Sequence, residues 1–407
     1  MRFVVLTQYF QPEIGAPQVR LASMIRELRR LGHEVEVVTA LPNYPQGKIF
    51  AEYRRRPFCR ESWEGVPVHR VWLYASMGAG LKRMINYGSF TGLSLFGLAR
   101  CKRPDYVFVE SPPLFLSVPG YIASRLWRAP MIFNVADLWP DSVRELGLMK
   151  EGAALRFADR LERWTYRKSA FVNAVTDGIR KTLIEKKKVP ASKVLYLPNG
   201  VDTRLFRPQA PDRELARELG LAGRRVILYA GTLGFAQGLE VALDAMEILK
   251  AELPEAAMVF IGSGSEKGRL VELARSKSLS NVVFLDPNTL EYVARLYSIA
   301  FAGFASLKAL PLFEGARPSK LMPVLGSGKP AIYSGAGEGA RLVEGVGAGL
   351  AVPPEDSGAL AEAIRTLMAD PARAEAMGCR GREYAEDHLS WSALIKDWVG
   401  QLEEAAG

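Results

Sequence analysis

One pattern governs what this chain can fold into. Short, continuous runs of β-branched and aromatic residues alternate with segments of helical period, and the alternation is met twice. The first half holds RFVVLT (2–7), EVEVVTA (34–40), YVFVES (106–111), APMIFNVAD (129–137), AFVNAVT (170–176) and a short VLYLPNG (194–200). The second half holds VILYAG (226–231), AMVFIG (257–262), VVFLD (282–286), AFAGFAS (300–306), PAIYS (330–334) and GLAVP (349–353). Strands that are apolar along their whole length are buried on both faces, and parallel sheets covered by helices bury them so. Between the first two runs Val19, Leu21, Met24, Ile25, Leu28 and Leu31 recur at helical spacing. That unit closes at Gly32-His33, where His33 reads as a structural turn residue. The expectation is an α/β protein in which two strand–helix series build two domains with parallel sheets.

The turn-rich segment PNGVDTRLFRP (198–208) marks the break between the two series. Domains are expected at 1–205 and 206–383. Residues 384–407 follow as an amphipathic terminal helix (Trp391, Leu394, Ile395, Trp398, Leu402) packing back on the first domain. With 407 residues and 48% hydrophobic content the chain fills two or three cores. Three cysteines without a CxxC argue against a disulfide framework and for a reducing compartment. The start, MRFVVLTQYF, reads as a strand and not as a leader peptide, so a cytoplasmic location is expected. No uncharged apolar run reaches the length of a spanning helix.

Charge is uneven. Residues 1–200 hold 31 Lys/Arg against 17 Asp/Glu, a net +14, and the remainder holds 22 against 27, a net −5. A basic half attracts anionic lipid head groups or a phosphorylated acceptor. Nucleic acid is not an expected partner, because no zinc-finger spacing, RNP-like motif or base-reading basic helix is found. Leu81 to Arg103 sharpens the lipid reading. Met84 to Ala99 is 16 consecutive uncharged residues, with Lys82 and Arg83 before it and Arg100, Lys102 and Arg103 after. Two readings stand open: an interfacial helix in which Phe90 and Leu95 meet the membrane, or a buried core helix.

The candidate site residues lie where runs end. Gly15 and Ala16 precede the first helix, where backbone N–H groups and the helix dipole favour a phosphate. Asp137 emerges at the end of a run, four residues before Asp141; both face one cavity, or both serve as helix caps. Thr232 follows VILYAG, and Gly262 and Gly264 follow the next run. PLFEGARPSKLMPVLGSGKPAIY (311–333) brings Glu314, Ser319 and Lys320 to the start of a short helical pattern ended by glycine. Lys320 is placed to meet an anion there.

In sum the chain resembles a retaining glycosyltransferase of family 4, of the GT-B arrangement with two facing Rossmann-like domains. The resemblance runs through PEIGAPQVR, RELRRLGHEVEVVTALPNYPQG, DLWPD, LPNGVDTRLFRP, YAGTLG, IGSGSE, PSKLMPVLGSGKP and GAGLAVPPED. NYPxG and DLWPD look like the branch building bacterial surface polysaccharides, with N-acetylated amino sugars such as fucosamine. The resemblance implies a UDP- or GDP-sugar donor, a polyprenyl-diphosphate-linked saccharide acceptor, an inner membrane surface and no cofactor. It places Lys320 on the diphosphate and Asp137 on the acceptor hydroxyl. No Asp-x-Asp is present to hold a metal ion, so metal-independent transfer is expected. Ala316 and Pro323 stand where the family carries two glutamates, Glu314 lies nearby, and Thr232 and Gln237 replace its Arg and Lys. Two other readings stand beside this one: a sugar-nucleotide epimerase on the same scaffold, or, from these departures, a non-catalytic membrane-docked assembly partner.

Overall fold

The computed structural model describes residues 1–13, 15–44, 46–76, 80–145 and 152–406. It divides into two units, the first of 1–198 with 394–407, the second of 199–393. The boundaries expected at 205/206 and 383/384 therefore shift, and the start of the terminal helix Trp391–Ala406 stays with the second unit.

The first unit is built on strands β1 (Arg2–Leu6), β2 (Glu34–Ala40), β3 (Phe58–Trp63), β4 (Val66–Val71), β5 (Tyr106–Ser111), β6 (Met131–Val135), β7 (Phe171–Ala174) and β8 (Val194–Tyr196). Their order is β3-β4-β2-β1-β5-β6-β7-β8, and only the β3–β4 pair is antiparallel. The chain leaves β1 toward β2 and later returns to lay β5 on β1's other side. The direction of winding reverses between β1 and β5, and such a switch point opens a crevice at the strands' carboxyl ends.

The second unit holds β9 (Arg225–Ala230), β10 (Ala256–Ile261), β11 (Val282–Leu285), β12 (Ala300–Ser306), β13 (Ala331–Ser334) and β14 (Gly349–Val352). They are all parallel in the order β11-β10-β9-β12-β13-β14, so here the switch lies between β9 and β12. Apolar clusters cover both faces: Met246, Phe260 and Ile364 belong to one, Leu228, Leu296 and Val324 to the other.

Two features bear on the expectations. The helix Leu81–Leu98 packs over the first sheet and buries Phe90 completely in its core. Phe90 is therefore a core residue and no membrane contact, because its side chain lies on the helix face turned to the sheet. Leu95, Lys82 and Arg83 lie on the exposed face. The terminal helix is fixed to the first unit through Trp398, fully buried, which stacks edge-on against Phe108 and donates from Nε1 to Asn173 Oδ1 at 3.0 Å. From Asn173 a buried polar chain runs through Asn134 to Glu110 and on to Arg20. Every member is paired, as buried polar groups must be.

Candidate active site

In the second unit the corner between β9 and β12 is made by Gly231 and Lys320. Gly231 ends β9 at φ +149°, a conformation that suits glycine. Its missing side chain leaves room for the lysine stem: a Cβ there would stand 2.5 Å from Lys320 Cε. Lys320 arrives from the turn after β12, just before the helix Leu321–Gly326, and its Nζ sits 5.6 Å from the centre of the Tyr229 ring. Although the residue keeps some exposed surface, desolvation alone pushes its ammonium down to about 8, with no carboxylate to offset it. Among the described residues no hydrogen-bond acceptor or carboxylate answers this cation, and a desolvated cation at a switch point is one that an anion would satisfy.

The neighbouring loops are locked to this corner. Gly231 N donates to Ile261 O and Leu233 N to Ser263 O, both at 2.9 Å. A Cβ on Gly262 would strike the Gly231 carbonyl, and one on Gly264 would strike that of Leu233. Backbone stacking of two loops thus accounts for both glycines without a ligand. Thr232 is exposed, and its carbonyl accepts the Tyr229 hydroxyl at 2.5 Å. Ser319 is half-buried in the turn beside Lys320. Glu314 is exposed and sits toward β13, where its backbone packs against Gly337. Thr232, Ser319 and Lys320 share the β9–β12 corner; Glu314 does not.

In the first unit Gly15 is the N-cap of the helix Ala16–Arg30, and no side chain caps that end. The loop before it is braced by a residue that the sequence reading passed over. Glu13 is buried, and its Oε1 accepts from Asn43 N at 2.7 Å and Tyr44 N at 2.8 Å. Burial raises its pKa, and these N–H donors hold part of that rise back. Arg70, also buried, donates to the Gln11 carbonyl and pairs with Glu61 at 2.6 Å.

The two aspartates after β6 differ in role. Asp141 bonds Lys187 at 2.7 Å and Arg144 at 3.0 Å, and Lys187 reaches Glu162 at 2.8 Å. Its charge is spent within the protein. Asp137 is exposed, and among the described residues it accepts from the Ser142 hydroxyl, at 2.9 Å, and the Leu138 N–H. Desolvation by the surrounding protein raises its pKa; those two bonds lower it, and the Asp141 charge adds a further rise. A carboxylate that reaches solvent yet holds a proton more readily than usual suits proton transfer with a hydroxyl.

Around Asp137 the carboxyl edge is aromatic. Trp139 and Phe115 meet edge-on at 6.0 Å, Phe115 and Tyr87 lie 6.5 Å apart, and Arg83 Nε donates to Tyr87 Oη at 2.7 Å. Tyr9 and Tyr44 meet edge-on at 6.1 Å. The spacing of these rings in sequence hides the wall, since each sits on a different loop or helix. Among the described residues Glu36, His69 and Cys101 bring potential metal-ligand atoms within 4.8 Å of one another. Glu36 stands near the start of β2, away from the carboxyl edge.

Comparisons with known proteins decide the class. Residues 15–200 match the model of a glycosyl transferase 4-like domain, and 212–384 that of glycosyl transferases group 1. The chain belongs to the family 4 glycosyltransferases of the GT-B fold. It is 27% identical, over 99% of its length and all of the other, to WcaI of Escherichia coli (strain K12), a provisionally named colanic acid biosynthesis glycosyl transferase. It is also 27% identical to a D-inositol 3-phosphate glycosyltransferase of Kineococcus radiotolerans, over 94% and 89% of the two chains. Among solved structures, sucrose-phosphate synthase of Thermosynechococcus elongatus shares the fold of this glycosyltransferase at TM-score 0.77 and 19% identity, covering 100% and 98%. HepE of Anabaena, solved with UDP-glucose, does so at 0.73 and 18%, covering 99% and 100%.

Proposed function

We propose that this glycosyltransferase moves a sugar, with retention of its anomeric configuration, from a UDP- or GDP-sugar to a polyprenyl-diphosphate-linked saccharide in surface polysaccharide synthesis. One observation carries the donor half: Lys320, desolvated and, among the described residues, without a hydrogen-bonding partner, at the switch point of the second sheet. As the bond from the anomeric carbon to the diphosphate breaks, its electron pair goes to the departing oxygen. A fixed cation aimed at that oxygen lowers the barrier more than any other single contribution. The acceptor oxygen bonds the anomeric carbon and gives up its proton, which Asp137 is placed to orient or receive. Lys320 and backbone donors do the work that a metal does in enzymes with an Asp-x-Asp, so transfer persists in excess chelator. The WcaI relative supports polysaccharide as the product, and the UDP-glucose complex of HepE supports a uridine donor. N-acetylated amino sugars are the first donors to try.

The acceptor half rests on the aromatic wall and on an exposed apolar face beside it. Met84, Ile85, Leu93 and Phe96 are more than two-fifths exposed on the helix Leu81–Leu98, and Leu126 is 78% exposed on the helix Ser117–Trp127. Lys82, Arg83, Arg100, Arg125 and Arg128 lie on the same two helices or directly after them. Among the described residues no helix is long and apolar enough to cross a membrane. An apolar face with cations at its margin instead lies on an anionic bilayer. Incubation of the protein with a panel of nucleotide sugars and a lipid-diphosphate disaccharide, read by mass spectrometry and NMR, tests the whole reading. A product extended by one sugar with the donor's anomeric configuration supports it. An epimerised donor in the absence of acceptor sinks it.

A further inference from the structure

The loop that carries Lys320 holds a second cation that the fold leaves unanswered. Arg317 lies three residues earlier, and its side chain is only 8% exposed. Nε and Nη2 are both buried and donate to nothing among the described residues. The carboxylate paired with it, that of Glu338, stands 3.8 Å from Nε, beyond hydrogen-bond reach. A guanidinium carries its charge at any working pH. Burying that charge without paired acceptors is costly unless a ligand completes the site.

The unpaired atoms are informative in themselves. Nε and Nη2 point their N–H groups along one side of the guanidinium plane. Two parallel donors at that spacing match the two oxygens of a carboxylate or a phosphate. Position agrees with this. Glu338 opens the helix Gly337–Val346 directly after β13, and Gly337, at φ +73°, lets that turn lie on the Glu314 carbonyl. Arg317 is thereby held toward the end of β13, while Lys320 crosses the end of β9. Strand β12 runs between the two. The cations thus mark two points along one carboxyl edge, about 10 Å apart at two strand spacings.

We propose that Arg317 binds an oxyanion on the glycosyl side of the donor, through a two-pronged contact from Nε and Nη2. This rests on the reading of the edge as the donor site. The oxyanion is either the distal phosphate or a carboxylate carried by the sugar. Glu338 competes for the same guanidinium, so it weakens the contact that it helps to aim. The residue also stands in for the Arg and Lys that Thr232 and Gln237 replace.

Calorimetric titration of the full chain with UMP, UDP, UDP-glucose and UDP-glucuronic acid, and with the guanosine series GMP, GDP and GDP-mannose, separates the sources. If the anion is the distal phosphate, Arg317→Gln and Arg317→Lys lose about tenfold or more for UDP or GDP, and little for the monophosphate. If it is a sugar carboxylate, only UDP-glucuronic acid loses. Glu338→Gln, which keeps the shape, tightens whichever probe Arg317 reads. Unchanged affinity for every probe in both Arg317 variants, with altered melting temperature alone, overturns the proposal and leaves a structural pair. Wild-type protein that binds no nucleotide overturns the donor site itself, before any variant is made, and this proposal with it.

Discussion

The carboxyl edges of the two sheets are built on opposite principles. At the first, Glu13 is answered by two backbone N–H groups, Arg70 by Glu61 and a carbonyl, and Asp141 by Lys187 and Arg144, while Asp137 reaches solvent. At the second, two cations wait. Lys320 Nζ lies 5.6 Å from the centre of the Tyr229 ring, Arg317 Nε stands 3.8 Å from a Glu338 oxygen, and neither donates a hydrogen bond to any described residue. An edge with satisfied charges is rigid and favours neutral hydroxyls and rings. An edge with unsatisfied cations favours a polyanion. On the proposed function, the same fold, met twice, offers one surface to a saccharide and another to a diphosphate.

The contrast is open to attack. The largest effect belongs to Lys320→Ala, which removes charge stabilisation of the leaving group; turnover falls by roughly 10² to 10³. Retained turnover would mean that the cation does not face the reaction. Next comes Glu13→Ala, which leaves the Asn43 and Tyr44 N–H groups buried and unpaired, at a cost of about 1–3 kcal/mol. Chemical denaturation checks it, and diphosphate affinity stays as in the wild type because Lys320 and Arg317 are untouched. A loss of affinity equal to that of Lys320→Ala would erase the division of labour.

The smallest effect is one of pH. The free protein holds Lys320 at about 8, so above that value the ammonium is lost before binding. A bound diphosphate favours the charged form and raises the lysine's pKa. Binding therefore takes up a proton, and affinity falls as pH rises beyond about 8, with a limit of tenfold per pH unit. Lys320→Arg flattens the profile, since a guanidinium keeps its charge there.

Much of this was open to sequence reasoning, and the rest failed for physical reasons. Parallel strands such as VILYAG and AMVFIG announce themselves because both faces are buried. The β3–β4 hairpin did not, since at the sheet's edge FCRESW holds only half-buried and exposed positions amid a basic run. The uncharged stretch 84–99 could not reveal that Phe90 turns inward while Phe96 turns out, because no charge within it marks the outward face. Gly262 and Gly264 look like ligand loops, yet it is a neighbouring carbonyl that forbids a side chain. Glu13 and Arg317 are ordinary loop residues until their partners are seen, one fully paired and the other not. A residue's type was legible; what answers its charge was not.

Titration of the wild-type protein with UDP, UMP, GDP and GMP at pH 7, repeated on Lys320→Ala, bears most directly on the claim that the second edge recognises a diphosphate through unanswered cations. The account predicts that one diphosphate binds about tenfold or more tighter than its monophosphate, and that this gap narrows in the variant. Equal binding of mono- and diphosphate, or a gap untouched by loss of the lysine, contradicts it.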